Sequence, residues 1–152
     1  MIKILVSECL YGDNIVRYDG KEYALDDPRF LKWKKEGRLI KVCPEVLGGL
    51  PTPRPPGERL GDRIVNKDGI DVTCEYVKGA RLAVELAKNK DVAFAILKLN
   101  SPSCGSKLIY DGTFRGKKIP GQGITTELLR DAGYMVYGED DLDEIEKLIS
   151  EY

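Results

Sequence analysis

The sequence predicts a three-layer α/β domain with a largely parallel sheet, residues 1–152 forming one unit. Two observations carry this expectation. Short apolar runs alternate along the chain with stretches of helical periodicity, the pattern of βα units. A length of 152 residues suits one domain that buries its core without disulfide staples.

The elements follow in order. IKILV (2–6) is apolar except for Lys3 and reads as the first strand, ending at the loop signal SECLYGD. DDPRFLKWKKEG supplies an Asp cap, Pro28 at a helix start and Gly37 as a stop. RLIKVCPE (38–45) reads as a second strand closed by a proline, and residues 46–63, with prolines at 51, 53, 55 and 56, as an extended loop. A helix is predicted from Asp71 to Lys90, capped by Asp71 or Thr73, with a buried stripe of Val72, Tyr76, Ala80, Ala83, Val84 and Ala87. VAFAILKL (92–99) is the most apolar strand. KLIYDGTFRGKKIPG reads as a hairpin and TTELLRDAG as a helix closed by Gly133. YMVYG (134–138) is the last strand and DLDEIEKLISEY the last helix, its apolar side formed by Leu142, Ile145 and Ile149.

Composition narrows the function. Basic and acidic residues number 24 and 25, so no broad positive field exists to capture nucleic acid. No apolar run approaches the roughly 20 residues of a membrane span, and no signal peptide is read at Ile2. The expected location is the cytoplasm, where four cysteines are free thiols and not a disulfide framework. Histidine is absent, which removes the commonest acid–base group and metal ligand.

The cysteines then become informative. Cys9, Cys43 and Cys104 each stand at or just past the end of a predicted strand, 34 and 61 residues apart. In an open parallel sheet those ends share one edge, where ligands bind, so the three thiols are expected to converge. Cys74 falls on the wheel beside Arg81 and Glu85, opposite the apolar stripe, and is left out. Isolated cysteines often pack as small hydrophobes, but three at three strand ends in Gly, Pro or Ser contexts favour a shared metal or cluster site. Zinc normally takes four ligands. Three thiolates on a [4Fe-4S] cluster leave one iron open, which suits catalysis on a sulfur-bearing substrate.

SECLYGDNIVRYDG, CPEVLGGLPTPR, GIDVT, LKLNSPSCG and IYDGTF with GQGI together resemble the thiouracil desulfidase family over nearly the whole chain. The resemblance implies a Rossmann-like fold and a [4Fe-4S] cluster held by Cys9, Cys43 and Cys104. It further implies Glu45 as catalytic carboxylate and Ser101 as catalytic serine. The implied reaction is non-redox attack of water on a thiolated nucleobase such as thiouracil, bound through sulfur to the open iron, giving uracil and sulfide. Without the family pattern, Glu45 is an ordinary helix-start carboxylate and Ser101 a turn residue before Pro102.

Other features are read both ways. PTPRPPGER is either a lid presenting Arg54 or Arg59 to a substrate carbonyl or a rigid polyproline loop. Tyr11 and Tyr18 stack on a base or simply pack. Thr125 reads as a turn-and-cap residue. A sulfur transferase using the same cluster, and a zinc-binding structural module with Cys74 or Glu45 as fourth ligand, stand as the alternative functions.

Overall fold

The computed structural model describes residues 1–151. In chain order the elements are β1 (Ile4–Ser7), α1 (Glu8–Tyr11), α2 (Pro28–Lys35), β2 (Leu39–Val42), α3 (Pro44–Leu47), β3 (Gly57–Leu60) and β4 (Arg63–Asn66). They continue with α4 (Thr73–Asn89), β5 (Phe94–Leu97), β6 (Leu108–Tyr110), β7 (Lys118–Pro120), α5 (Ile124–Asp131), β8 (Val136–Gly138) and α6 (Leu142–Ser150). The central sheet has the order β2-β1-β5-β8 and every pairing in it is parallel. Rossmann-like layering follows from the period-two alternation of these strands. Ile4, Val6, Phe94 and Ile96 face Phe30 and Trp33 of α2 and Leu142 and Ile145 of α6. Leu5, Ala95, Leu97 and Val42 face Ala83 and Ala87 of α4 and Leu129 of α5. Strands covered on both faces read as continuous apolar runs, which is why β1 and β5 stand out in the sequence.

The helix signals act as expected. Asp27 caps α2 by accepting from the Arg29 backbone N–H at 2.9 Å. Gly37 and Gly133, just beyond α2 and α5, take φ of 76° and 95°, the left-handed conformation that ends helices. The stripe of α4 is buried at Tyr76, Ala80, Ala83 and Ala87.

Three expectations need correction. The stretch after β1 is not all loop: Glu8–Tyr11 forms one helical turn, short enough to leave no periodic signal. Residues 46–63 are not loop throughout, because Gly57–Leu60 pairs antiparallel with Arg63–Asn66. Tertiary packing rather than alternation holds that hairpin, since Ile64 buries against Val72, Tyr76 and Ile124. The N-cap of α4 is Val72, without a side-chain cap, and not Asp71 or Thr73: Asp71 accepts from the Thr73 N–H at 2.9 Å just ahead of the helix, while the Thr73 hydroxyl oxygen accepts from the Ile64 N–H of β4 at 2.9 Å. Among the described residues no helix is long and apolar enough to cross a membrane.

One close approach positions the site. A Cβ on Gly79 of α4 would lie 1.7 Å from the Pro44 carbonyl oxygen, and one on Gly48 would lie 1.9 Å from that of Glu75. The α3 turn, which carries Glu45, thus rests on α4 backbone to backbone. Gly79→Ala is expected to cost about 2 kcal/mol or more, since the clash is with main chain that cannot rotate away. The urea unfolding midpoint measures it, and an unmoved midpoint contradicts this packing.

Candidate functional site

Cys9 follows β1 by two residues, Cys43 follows β2 directly, and Cys104 lies in the loop after β5. The chain leaves β1 for β2 on one side and later reaches β5 on the other, so the β1–β5 boundary is the topological switch point, where a crevice opens. A cavity of about 350 Å³ occupies that edge, and Cys9, Cys43, Cys104, Glu45 and Ser101 all line it. The cysteines are free thiols, Cys104 buried and Cys9 and Cys43 half-buried. Cys74 is exposed and is not among the lining residues, so of the two fourth ligands the zinc alternative offered, Cys74 and Glu45, only Glu45 shares the cavity.

The thiols share one electrostatic environment. Burial, with repulsion from Cys43 next, pushes Cys9 up to about 12 against the pull of the Lys98 ammonium. Burial likewise raises Cys43, against the backbone N–H of Val46. Cys104 is raised chiefly by burial, with a hydrogen bond from the Ser7 hydroxyl opposing and Cys9 and Cys43 adding repulsion. Three thiolates in such a place require a cationic partner. Among the described residues no group of three His, Cys, Asp or Glu side chains is placed to hold one metal ion; the three thiols line the shared cavity.

Glu45 is held from one side only. Its Oε1 accepts from Arg54 Nε and from the Tyr76 hydroxyl, both at 2.9 Å. The remaining Arg54 nitrogens donate to Pro51 O, Thr52 Oγ1 and Val16 O at 3.2, 3.1 and 2.9 Å. Arg54 therefore anchors Glu45 and does not present itself to a substrate carbonyl. Arg59 does not either: it donates to Gly61 O, Gln122 O and Glu127 Oε1, tying the β3–β4 hairpin to α5. Of the stretch PTPRPPGER, Arg54, Pro56, Gly57 and Glu58 line the cavity as part of its wall.

Ser101 is both a turn residue and a cavity residue. Its Oγ accepts from the backbone N–H groups of Ser103 and Cys104 at 3.0 and 3.1 Å. With both acceptor sites filled, the hydroxyl has only its proton left to offer. The small residues of SPSCGS are explained by what the loop rests on. The hydroxyls of Ser103 and Thr125 meet at 2.8 Å, and Thr126 Oγ1 donates to Cys104 O at 2.8 Å. A Cβ on Gly123 would stand 2.3 Å from the Ser103 carbonyl carbon. Thr125, fully buried, is thus the loop's partner, and Gly123 is the residue at the N-cap of α5.

Tyr18 lines the cavity. Tyr11 is not among the lining residues and lies under the ammonium groups of Lys34 and Lys41, 4.3 and 5.1 Å from its ring centre. Sequence reasoning missed Tyr76, whose place on the apolar stripe of α4 is that of any core residue, and Lys98, the polar residue near the end of the most apolar strand.

An open parallel sheet with three thiols, a half-restrained carboxylate and a donor serine at its switch point defines an α/β enzyme with a thiol-lined cleft. The chain belongs to the 2-thiouracil desulfurase family, whose model matches residues 4–141. It is 45% identical over 152 residues to YbbK of Bacillus subtilis (strain 168), described as an uncharacterized protein, covering 93% of this chain and 99% of that one. Among solved structures, the [4Fe-4S]-dependent thiouracil desulfidase TudS (DUF523Vcz) superposes with a TM-score of 0.96 at 47% identity, covering 100% of both chains.

Proposed function

We propose that the chain, acting as one α/β domain, removes sulfur from a thiolated nucleobase of the thiouracil type, with a [4Fe-4S] cluster held by Cys9, Cys43 and Cys104. The observation that carries this reading is the convergence of the three thiols on one cavity together with Glu45 and Ser101. The donor set fits the cluster on chemical grounds: three soft sulfur ligands lining one cavity and no histidine. When bound, such a cluster supplies a soft Lewis acid at the iron left without a cysteine, suited to a thione sulfur.

The chain's own residues supply the remaining steps. Glu45, with Oε1 occupied by Arg54 and Tyr76, presents Oε2 to orient a water and take its proton as that water adds to the thione carbon. Fixing one oxygen fixes the other, so the base is aimed before substrate arrives. Ser101 donates its single free proton to a ring carbonyl or nitrogen and so holds the base against the cavity wall. Tyr18, Pro56 and Tyr110 supply apolar lining that suits a flat ring. One water enters, sulfide leaves, and no electrons are exchanged. The names of the family and of the structural relative both describe desulfurisation, which supports this reading over sulfur transfer to an acceptor.

Protein purified without oxygen is expected to carry about four irons and four acid-labile sulfides per chain, the composition of one such cluster, and to release sulfide from 2-thiouracil. Metal analysis and a sulfide assay check this. Zinc without labile sulfide, or a loaded cluster with no sulfide release, would overturn the proposal.

A further inference from the structure

The cavity has a second polar pole that the steps above leave unused. Lys98 lines it, and its Nζ pairs with Glu139 Oε2 at 3.0 Å. Glu139 is itself held firmly: its Oε1 accepts from the Leu99 N–H at 2.6 Å, and its Oε2 from the Tyr23 hydroxyl at 3.3 Å. The ammonium also stands 5.3 Å from the centre of the Tyr23 ring. Three distant segments thus hold one cation in place: the end of β5, the residue after β8, and the loop before α2.

Beyond easing ionisation of the Cys9 thiol, that cation has no part in the steps proposed above. The other cations of the lining are committed or less enclosed. Arg54 has all three nitrogens bound, and Arg17, with a third of its side chain exposed, pairs with Asp19 and lies over the rings of Tyr18 and Tyr23. An ammonium carries three N–H donors. One is spent on Glu139, one side of the group faces an aromatic ring, and the group keeps donor capacity for a ligand in the cavity. Three carboxylates, Glu8, Glu45 and Glu58, line the same space with the thiols, so an anion formed there is repelled on most sides.

We propose that Lys98 steadies the anionic sulfur product, its fixed ammonium donating to hydrosulfide as that ion leaves the substrate carbon. This inference rests on the desulfidation proposed above. The reaction balances as thione plus water giving the oxo compound, hydrosulfide and one proton. The C–O bond forms, the C–S bond breaks with its electron pair going to sulfur, and the proton leaves through Glu45. Lys98 contributes charge and a hydrogen bond and exchanges no electrons. Holding the anion beside a pre-aimed donor lowers the cost of expelling it.

The test titrates sodium hydrosulfide, without oxygen, into cluster-loaded wild type, Lys98→Met, Lys98→Arg and Glu139→Gln. Binding is followed by calorimetry and visible absorption, with iron per chain measured alongside and sulfide release from 2-thiouracil assayed in parallel. Lys98→Met is expected to bind hydrosulfide about tenfold or more weakly at matched iron content, the loss of one charge-assisted hydrogen bond. Lys98→Arg is expected to keep most of the affinity. Glu139→Gln removes the competing carboxylate charge while retaining an acceptor for Leu99, and is expected to bind hydrosulfide more tightly. Unchanged affinity in Lys98→Met overturns the inference, and if that variant fails to hold iron, unchanged or weaker binding in Glu139→Gln does so instead. Wild type that binds no hydrosulfide overturns it as well. Wild type that releases no sulfide from thiouracil removes the proposed function and this inference together, whereas turnover with unaltered hydrosulfide binding in Lys98→Met removes the inference alone.

Discussion

Cys104→Ser, purified without oxygen, is expected to lose most of its iron and essentially all thiouracil turnover while remaining folded. Serine is close to cysteine in shape, and the site offers its hydroxyl a partner in Ser7, which already hydrogen-bonds the Cys104 sulfur. The core around it, Leu97, Ala83 and Leu129 among others, loses no volume large enough to collapse. What changes is the ligand: an alkoxide is far harder to form than a thiolate and is a hard donor where iron–sulfur chemistry calls for a soft one. Because burial raises the Cys104 thiol, loading the wild-type site must displace protons, and loading is expected to weaken as pH falls. Cys74→Ser is the control, since that residue is exposed and outside the cavity lining. Iron analysis with far-ultraviolet circular dichroism checks both variants. Full iron content in Cys104→Ser would remove Cys104 from the ligand set.

Glu45→Gln separates the chemistry from the cluster. Glutamine keeps the size of the side chain, and its carbonyl oxygen still accepts from Arg54 and Tyr76, which hold Oε1 at 2.9 Å in the native protein. The opposite end becomes an amide that takes no proton from water. Turnover is expected to fall by roughly 10²- to 10⁴-fold, the usual worth of a general base, with iron and labile sulfide unchanged. Steady-state rates at matched iron content decide it. An unaltered rate would show that water is activated without Glu45. The substitution also leaves Arg54 beside a neutral partner, a buried charge that has lost its counter-ion, so a modest drop in thermal stability is expected alongside.

The site was legible in the sequence to the extent that backbone topology sets it. Apolar runs separated by helical stretches imply a parallel sheet, a parallel sheet gathers its strand ends on one edge, and cysteines at positions 9, 43 and 104 were therefore bound to meet. Cys74, the second residue of α4, was legible as an outsider because helical periodicity alone turns it to the exposed side. Glu45 and Ser101 were reachable only through family resemblance, because a lone Glu after Cys-Pro and a lone Ser before Pro are ordinary turn chemistry.

Long-range contacts decided the rest. No local pattern says that Arg54 gives up its donors to Glu45 and the backbone around it, or that Tyr76, spaced like a core residue, brings its hydroxyl to the same carboxylate. The β3–β4 hairpin follows a proline-rich stretch and is held down by Ile64 against α4 and α5. Lys98 gains its character from Glu139, a residue 41 positions further on. The sequence by itself determined the layered α/β fold, the edge at which function gathers and the thiols that gather there, since periodicity and strand direction act over a few residues. Only the tertiary structure decided which charges pair, which carboxylate oxygen stays free and which cation faces the cavity. Those depend on side chains from separate elements meeting within hydrogen-bond distance, and chain spacing carries no record of that.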